Sequence, residues 1–267
     1  MDFKMHEYTH AIVGKVTPAL RITDKADLND ARRQHDCYLR LLRELNLEVL
    51  ELDLGGNFPE NVFVEDIAIV CHGTALFPKP QTSTDEKKKK IIKEVLQKDL
   101  GQTVVEIDNP EAKLSAADVL FTGREFFVGI SENTNEDGAS AVAEAFPEFP
   151  CTPIEASGLG AGGVRRLVSV AGPALLCCGG GEAARRVLRR LERDASCAHR
   201  TLPVPEGAAA DCLYANGTLV HRAIEEIPRS FKVFCEKIDF ARRSICFSEL
   251  AKAGGGLRSA CLLVRKP

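Results

Sequence analysis

The sequence predicts an α/β protein made of about five similar modules that form a propeller-like ring. A strand, a hairpin and a helix return about every 45–55 residues, which indicates modules around a pseudo-symmetry axis. The hairpins argue against a doubly wound sheet, whose parallel strands need crossover helices. One module alone could not bury its apolar faces, but a ring could, with the functional site on the central axis. An open mixed sheet in two lobes is the alternative.

The strands of these modules are predicted from short apolar runs separated by turn residues. Single strands are expected at residues 47–54, 103–107, 152–156 and 200–204. Hairpins are expected at residues 62–77, 118–130, 166–178 and 211–222. Their turns are predicted at His72-Gly73, Thr122-Gly123, Gly172-Pro173 and Asn216-Gly217, the last being a strong hairpin signal. From residue 244 onward we expect a strand, a glycine loop and a final strand.

Helices are expected at residues 85–100, 138–146, 182–193 and 229–237. In the first of them, apolar residues fall on one face at helical spacing and lysines cover the other face. The cationic run at residues 87–90 is flanked by Asp85 and Glu86. Such a run is typical of a solvated helix face and does not indicate a polyanion site.

The composition is that of an ordinary globular protein, with 45% apolar and 27% charged residues in a chain of 267. This length suits one large domain, and we expect a single domain over residues 1–267. The net charge of −3 gives no reason to expect a nucleic-acid partner. No apolar stretch suits a signal peptide or a membrane span, so we expect a cytoplasmic protein with no membrane partner. Nothing in the sequence indicates the oligomeric state.

Ten cysteines are then expected to be mostly reduced thiols. Their spacing does not fit a zinc site, because no C-x-x-C pair is present and only Cys177 and Cys178 are adjacent. Those two lie in an apolar strand and are expected to be small buried side chains. The sequence predicts no metal and no cofactor.

Several segments resemble the dimethylarginine dimethylaminohydrolase family. The closest is residues 118–131, DVLFTGREFFVGIS, which is nearly identical to the family's version. Shorter matches are at residues 9–11, 34–35, 59–66, 170–173, 219–222 and 247–250, so the resemblance covers almost the whole chain. One long match and several short ones in the same order make the resemblance highly specific.

The resemblance implies a fold, the five-bladed α/β propeller of the guanidine-modifying superfamily, a pseudo-five-fold ring of ββαβ modules. It also implies a reaction, the hydrolysis of methylated arginine to citrulline and a methylamine, and thus a place in arginine metabolism and the regulation of nitric oxide. In that chemistry a cysteine thiolate attacks the guanidinium carbon and a histidine moves the protons. Carboxylates grip the cationic guanidinium through paired hydrogen bonds, so the expected partner is a small guanidine substrate.

Glu65 and Asp66 are predicted to form the guanidinium clamp. Adjacent carboxylates inside an apolar strand are unusual, because a buried unpaired charge is costly. The alternative is an acidic pair at a strand edge that faces solvent or forms an ion pair. Glu60 is a further candidate for substrate binding and stands where the family usually has an aspartate. Its extra methylene would move the carboxylate by roughly one C–C bond.

Asp118 opens the best-matching segment and, by the resemblance, neighbours the catalytic residues. Cys261 follows a glycine loop near the C-terminus, where the family has its nucleophile. We therefore expect Cys261 to be the nucleophile and to meet the Glu65–Asp66 pair in one central pocket. Two alternatives remain. A gap-free count to the chain end places Ser259 at the nucleophile position, and Cys261 is otherwise explained as a buried strand thiol.

The resemblance fails at the family's histidine. Gly163 falls at or near the expected position, and no histidine occurs between His72 and His199. Losing a general acid–base is expected to slow turnover by roughly 10²–10⁴-fold, and a histidine at Gly163 is expected to restore part of it. His6, His72 and His199 fall in loop or turn contexts and are expected at the surface.

The arginines that hold the substrate's carboxylate in the family also have no counterpart. Residues 81–86 carry acids at one of these places, and Asn133 stands at another. Three hypotheses follow. The chain is a family hydrolase, a catalytically impaired family member that binds a guanidinium or has a regulatory role, or a module that binds another cation through Glu65, Asp66 and Asp118.

Overall fold

The computed structural model describes residues 6–19, 26–80, 83–158 and 163–267. Its strands are β1 (His10–Gly14), β2 (Glu48–Leu52), β3 (Ile69–Cys71), β4 (Thr74–Phe77), β5 (Thr103–Glu106), β6 (Val119–Phe121), β7 (Phe126–Ile130), β8 (Cys151–Glu155), β9 (Val168–Gly172), β10 (Leu175–Gly179), β11 (Arg200–Val204), β12 (Leu213–Ala215), β13 (Thr218–Arg222), β14 (Arg242–Ile245) and β15 (Cys261–Val264). Its α-helices are α1 (Leu28–Glu44), α2 (Ser83–Glu94), α3 (Glu136–Ala145), α4 (Glu182–Asp194), α5 (Pro228–Lys237) and α6 (Ser248–Ala251).

The described strands form five small sheets with one repeated topology. The sheets are β15-β1-β2, β3-β4-β5, β6-β7-β8, β9-β10-β11 and β12-β13-β14. In each sheet, in this strand order, the middle strand is antiparallel to the first strand and parallel to the third, which follows a helix. The first sheet joins both ends of the chain, because β15 pairs with β1 in the register Val13↔Cys261.

Five apolar clusters join these sheets. Successive side chains of a strand point to opposite faces, so one middle strand serves two clusters. In β1, Ile12 packs toward the second sheet, whereas Ala11 and Val13 pack toward the fifth. The other clusters join the second sheet to the third, the third to the fourth and the fourth to the fifth. Each sheet is therefore buried on both faces by its two neighbours.

The predicted hairpins are present. His72 and Gly73 have φ of 46° and 79°, and Asn216 and Gly217 have 49° and 79°, as tight hairpin turns require. The third turn lies one residue later than predicted, at Pro173 and Ala174, between β9 and β10. The predicted burial of Cys177 and Cys178 in β10 is confirmed.

Two predictions differ from the structure. Residues 62–68 were expected in a strand, but Pro59–Val62 and Glu65–Ile67 are 3-10 turns. The reason is tertiary, because the N–H groups of Val64 and Glu65 donate to the carbonyl oxygen of Ser259 and not to a strand ladder. The predicted helix at 85–100 ends at Glu94 and continues as a π-helical turn, Val95–Asp99.

Helix α1 was not predicted, although its sequence signal is clear. Leu28, Ala31, His35 and Leu42 are buried at helical spacing. The Asp27 side chain caps its N-terminus by accepting from two backbone N–H groups of the first turn. Among the described residues, no helix combines the length and the apolar character needed to cross a membrane.

Candidate active site

The candidate site is built from five short segments, each directly before the first strand of a sheet. We call them the pre-strand turns; they are Glu65–Ile67, Ala116–Asp118, Val164–Arg166, Gly207–Ala210 and residues 254–260. Hydrogen bonds join them across the sheets. Glu65 N donates to Ser259 O at 3.2 Å, and the Arg165 side chain donates through Nη1 to Ala116 O at 2.9 Å. Segments far apart in the sequence therefore meet at one place.

Two cavities lie against these turns and share Asp66, Gly254, Gly255 and Ser259. The first has a volume of about 510 Å³, and we call it the lysine cavity; its polar wall includes Glu60, Asp85, Asn133, Lys79, Lys88 and Lys89. The second has a volume of about 410 Å³, and we call it the arginine cavity; its polar wall includes Glu65, Asp211, Arg165, Arg222 and Arg258. Either volume suits an amino-acid-sized ligand.

Asp66 is the carboxylate that faces both cavities. Its side chain is 55% exposed, but desolvation by the surrounding protein raises its pKa, and the nearby Arg258 partly opposes this effect. Arg165 Nη1 lies 3.9 Å from its Oδ1, too far for a hydrogen bond. Asp66 therefore has acceptor capacity left for a cationic ligand.

Glu65 is already held by two guanidinium groups of the chain itself. Its carboxylate pairs with the guanidinium of Arg165, and Arg258 Nη1 lies 3.4 Å from the same oxygen. The two adjacent acids thus have different surroundings. Glu65 forms an ion pair, which was the alternative to the predicted clamp. Asp66 keeps an open carboxylate, as the clamp requires.

Sequence reasoning missed Arg165 and Arg258. Their side chains are only 7% and 16% exposed, and burial lowers the pKa of both guanidinium groups. Arg258 Nη2 also donates to the carbonyl oxygen of Arg165 at 3.1 Å. Their position in the sequence could have identified them as site residues. Both arginines precede an apolar strand run, just as Glu65 and Asp66 do in their own module.

Asp118 lies behind the cavity wall. It is 2% exposed, and its Oδ2 accepts hydrogen bonds of 2.8 Å from the hydroxyls of Ser131 and Thr134. Its other oxygen has no hydrogen-bond partner among the described residues. Ala117, its neighbour in the same turn, lines the arginine cavity. Asp118 therefore reaches the cavities only through neighbouring residues.

Gly163 lies directly against Asp118, but a side chain does not fit there. Its φ is +57°, and a Cβ atom would lie 2.6 Å from the carbonyl oxygen of Ala117 and still closer to Asp118 Oδ1. The expectation that a histidine at this position restores activity therefore needs correction, because the substitution requires the backbone to move. Residues 159–162, which precede Gly163, lie outside the described residues.

Cys261 and Ser259 have opposite surroundings. Cys261 is 1% exposed inside the cluster between the first and fifth sheets, and it does not line either cavity. The Tyr38 hydroxyl lies 3.1 Å from its sulfur, and burial raises the pKa of the thiol to about 11. Ser259 lines both cavities beside Asp66. Ser259 is therefore the side chain that meets the carboxylates in the cavities. Burial raises the pKa of the Cys261 thiol more than Arg258 and Arg165, the partners of Glu65, lower it. The assignment of Cys261 as the nucleophile stays a prediction.

The Ser259 hydroxyl is held by the glycine loop. It donates to Gly256 O at 2.9 Å and accepts from Gly256 N at 2.7 Å. Asp211 supports the same loop by accepting from Arg258 N at 3.1 Å, and Arg222 lies 3.4 Å from Asp211. No histidine lines either cavity among the described residues.

The positions that replace the family's arginines face the lysine cavity. Asp85 and Asn133 line it, together with Glu60, which stands where the family usually has an aspartate, and three lysines that sequence reasoning had not assigned to a site. Residues 81–82 of the corresponding segment lie outside the described residues. The cavity therefore has cationic side chains, but they are lysines at positions other than those where the family has its arginines.

The prediction of three surface histidines is wrong for two of them. His6 is 7% exposed beside Tyr214, and burial lowers its pKa to about 4. The His199 side chain is 5% exposed and lies 2.8 Å from the buried carboxylate of Glu125. These side chains are held by tertiary contacts that loop position alone does not reveal.

Solved structures of the same fold cover nearly all of this chain. One is DDAH from Pseudomonas aeruginosa, a cysteine-to-serine mutant in complex with citrulline, with a TM-score of 0.79 and 21% identity over 96% of this chain and 99% of that one. Another is the N-terminal domain of ArgZ, an arginine dihydrolase of cyanobacteria, with a TM-score of 0.75 and 15% identity over 98% and 99%. The fold thus places the chain in a class of α/β proteins that includes enzymes named for arginine chemistry.

Sequence relatives identify the family within that class. DDAH2 of Homo sapiens is 33% identical, over 96% of this chain and 94% of that protein. N(G),N(G)-dimethylarginine dimethylaminohydrolase of Pseudomonas aeruginosa is 30% identical over 46% of this chain and 51% of that protein. No family model matches the chain. The chain belongs to the dimethylarginine dimethylaminohydrolase family.

Proposed function

We propose that this chain binds a small guanidine ligand of the methylated-arginine class at Asp66, and hydrolyses it much more slowly than family members with an intact site. We further infer that residues 1–267 form one domain, a five-bladed α/β propeller. The support for the propeller is cyclic packing, since apolar clusters join each sheet to the next and the fifth to the first.

One observation carries the functional proposal. Asp66 is the carboxylate that lines both cavities, and its contact with Arg165 is a long ion pair of 3.9 Å without a hydrogen bond. A guanidinium that enters either cavity can form charge-assisted hydrogen bonds with it. Desolvation by the surrounding protein raises the pKa of Asp66 more than Arg258 lowers it, and a bound guanidinium would stabilise the charged form.

Slow turnover follows from the groups beside Asp66. Hydrolysis needs a nucleophile to attack the guanidinium carbon, a proton for the leaving amine, and a water that loses a proton to release citrulline. Ser259 offers a hydroxyl that is scarcely ionised near neutral pH, and its contacts are to Gly256. Cys261 offers a thiol, but its position in the core and its raised pKa keep it protonated and out of reach.

The test combines calorimetry with a citrulline assay on purified protein. Dimethylarginine should bind to the wild type, and Asp66→Asn should weaken binding by about 2 kcal/mol. Asp53→Asn is the matched control, because it makes the same change at an exposed turn outside both cavities. Equal affinity of wild type and Asp66→Asn would exclude the clamp.

Turnover is tested with Ser259→Cys. A thiol at this position should raise citrulline production above that of the wild type, because a thiol ionises far more readily than a hydroxyl. Cys261→Ala should leave the slow wild-type rate unchanged. A wild-type rate of several per second that disappears in Cys261→Ala would contradict the proposal and make Cys261 the nucleophile.

A binding or regulatory protein without turnover is the second candidate. The occupied carboxylate of Glu65 favours it, since half of the predicted clamp already holds the chain's own arginines. The same assay separates the two candidates: tight binding of dimethylarginine with no citrulline from either the wild type or Ser259→Cys supports the second.

A further inference from the structure

We infer that Lys88 binds the carboxylate of the ligand in the lysine cavity and thereby selects amino-acid guanidines over guanidines without a carboxylate. This inference rests on the proposed function, because it assumes that the guanidinium end of the ligand lies at Asp66. Lys88 belongs to helix α2 and lines the cavity whose wall also contains Asp66 and Ser259.

The first support is that Lys88 carries a buried charge without a close partner. Lys88 is 4% exposed, which is unusual for a lysine. Within the described part of the chain, its ammonium has no hydrogen bond and no ion pair within 4 Å; Glu60 and Asp85 act on it only from a greater distance. Burial of a cation without a close partner is costly, so an anion that enters the cavity would gain a desolvated cationic partner.

The second support is the contrast with the other lysines of the cavity. Lys89 is paired with Glu106 at 2.6 Å, and Lys79 donates to the carbonyl oxygen of Asn109 at 2.5 Å. Both ammonium groups therefore already have partners. Among the described lysines of this cavity, Lys88 is the one without a close hydrogen-bond or ion-pair partner, so none of its three N–H donors is engaged.

The third support is its place on helix α2. Residues three apart on a helix lie on the same face, so Lys88 is one turn along from Asp85. Asp85 belongs to the segment in which acids stand where the family has an arginine. A positive charge one helical turn away can serve a ligand carboxylate from the same side of the cavity. It does so as a single ammonium and not as a bidentate guanidinium.

The test compares three probes by calorimetry: dimethylarginine, its decarboxylated counterpart, and norvaline, which has the carboxylate but no guanidinium. The wild type should bind dimethylarginine about 10- to 100-fold more tightly than the decarboxylated compound. Lys88→Met should abolish this preference without changing affinity for the decarboxylated compound, and Lys88→Arg should restore part of it. Lys89→Met is the matched control and should keep the preference.

Each outcome is informative. If both guanidines bind and Lys88→Met weakens them equally or not at all, the inference is overturned while the proposed function stands. If norvaline binds in a Lys88-dependent way and neither guanidine binds, the carboxylate site stands and the proposed function is overturned. If no probe binds to the wild type, both are overturned.

Discussion

The pre-strand turns and the strands that follow them are neighbours in sequence but differ in every physical respect. Three of the turns present charged side chains to the cavities, namely Glu65 and Asp66, Arg165 and Arg258, whereas the strands fill apolar clusters between sheets. Ser259 and Cys261 show the difference over two residues, since one lines both cavities and the other lies 1% exposed in the core. In this fold, a residue in the turn before a strand can face the cavities, and a residue inside the strand is buried. Position therefore indicates a nucleophile better than residue type does.

The largest expected effect is at Glu65. Glu65→Gln leaves Arg165 and Arg258 buried without their charged partner and should lower the free energy of unfolding by about 3–5 kcal/mol. Glu60→Gln, which makes the same change at an exposed carboxylate without an ion pair in the described structure, should cost less than about 0.5 kcal/mol. Urea denaturation measures both. Equal effects would mean that the arginine cluster does not stabilise the pre-strand turns.

The next effect separates two glycines of positive φ. Gly163→Ala forces a Cβ atom against Asp118 and should cost about 2–4 kcal/mol. Gly158 also has a positive φ, of 70°, but no described atom lies within 4 Å of its Cβ position, so Gly158→Ala should cost only about 1 kcal/mol. Thermal unfolding of the two variants separates the effect of the clash from that of the backbone strain.

We also expect Gly163→His to unfold more readily than the wild type and to produce no additional citrulline. A gain in rate would show that the turn adapts.

The smallest effect tests the thiol in the strand. The folded-state pKa of Cys261 is raised to about 11 from an ordinary value near 9, so the folded state holds the proton more tightly. Its contribution to stability should be complete below about pH 9 and lost as the pH rises from about 9 to about 11. Relative to Cys261→Ala, the wild type should thus lose about 1–3 kcal/mol over this range.

The measurement is urea denaturation of both proteins at pH 8 and pH 11. Alkylation gives an independent readout, because the exposed Cys37, Cys235 and Cys246 should react with iodoacetamide in the native protein and Cys261 should not. Parallel pH profiles for the wild type and Cys261→Ala, or rapid alkylation of Cys261, would contradict its burial.

Much of the fold could be read from the sequence because its cause is local. Period-two apolar runs, the turn residues of hairpins such as Asn216-Gly217, and the amphipathic helices all follow from backbone geometry and the burial of one face. The repeat of these units predicted their number. Helix α1 had a comparable signal in its spacing of Leu28, Ala31, His35 and Leu42, and was missed although nothing tertiary concealed it.

The site depended on contacts that no local pattern contains. Glu65 and Asp66 are adjacent acids, and only the approach of Arg165 and Arg258 from other modules makes one an ion-pair partner and leaves the other open. In the same way, α1 brings Tyr38 to the sulfur of Cys261, and the turn around Asp118 fills the space beside Gly163. Residue types and their order were set by the sequence alone. Which charge is neutralised and which side chain faces a cavity was decided by packing, because electrostatic partners and free space depend on distances between segments far apart in the chain.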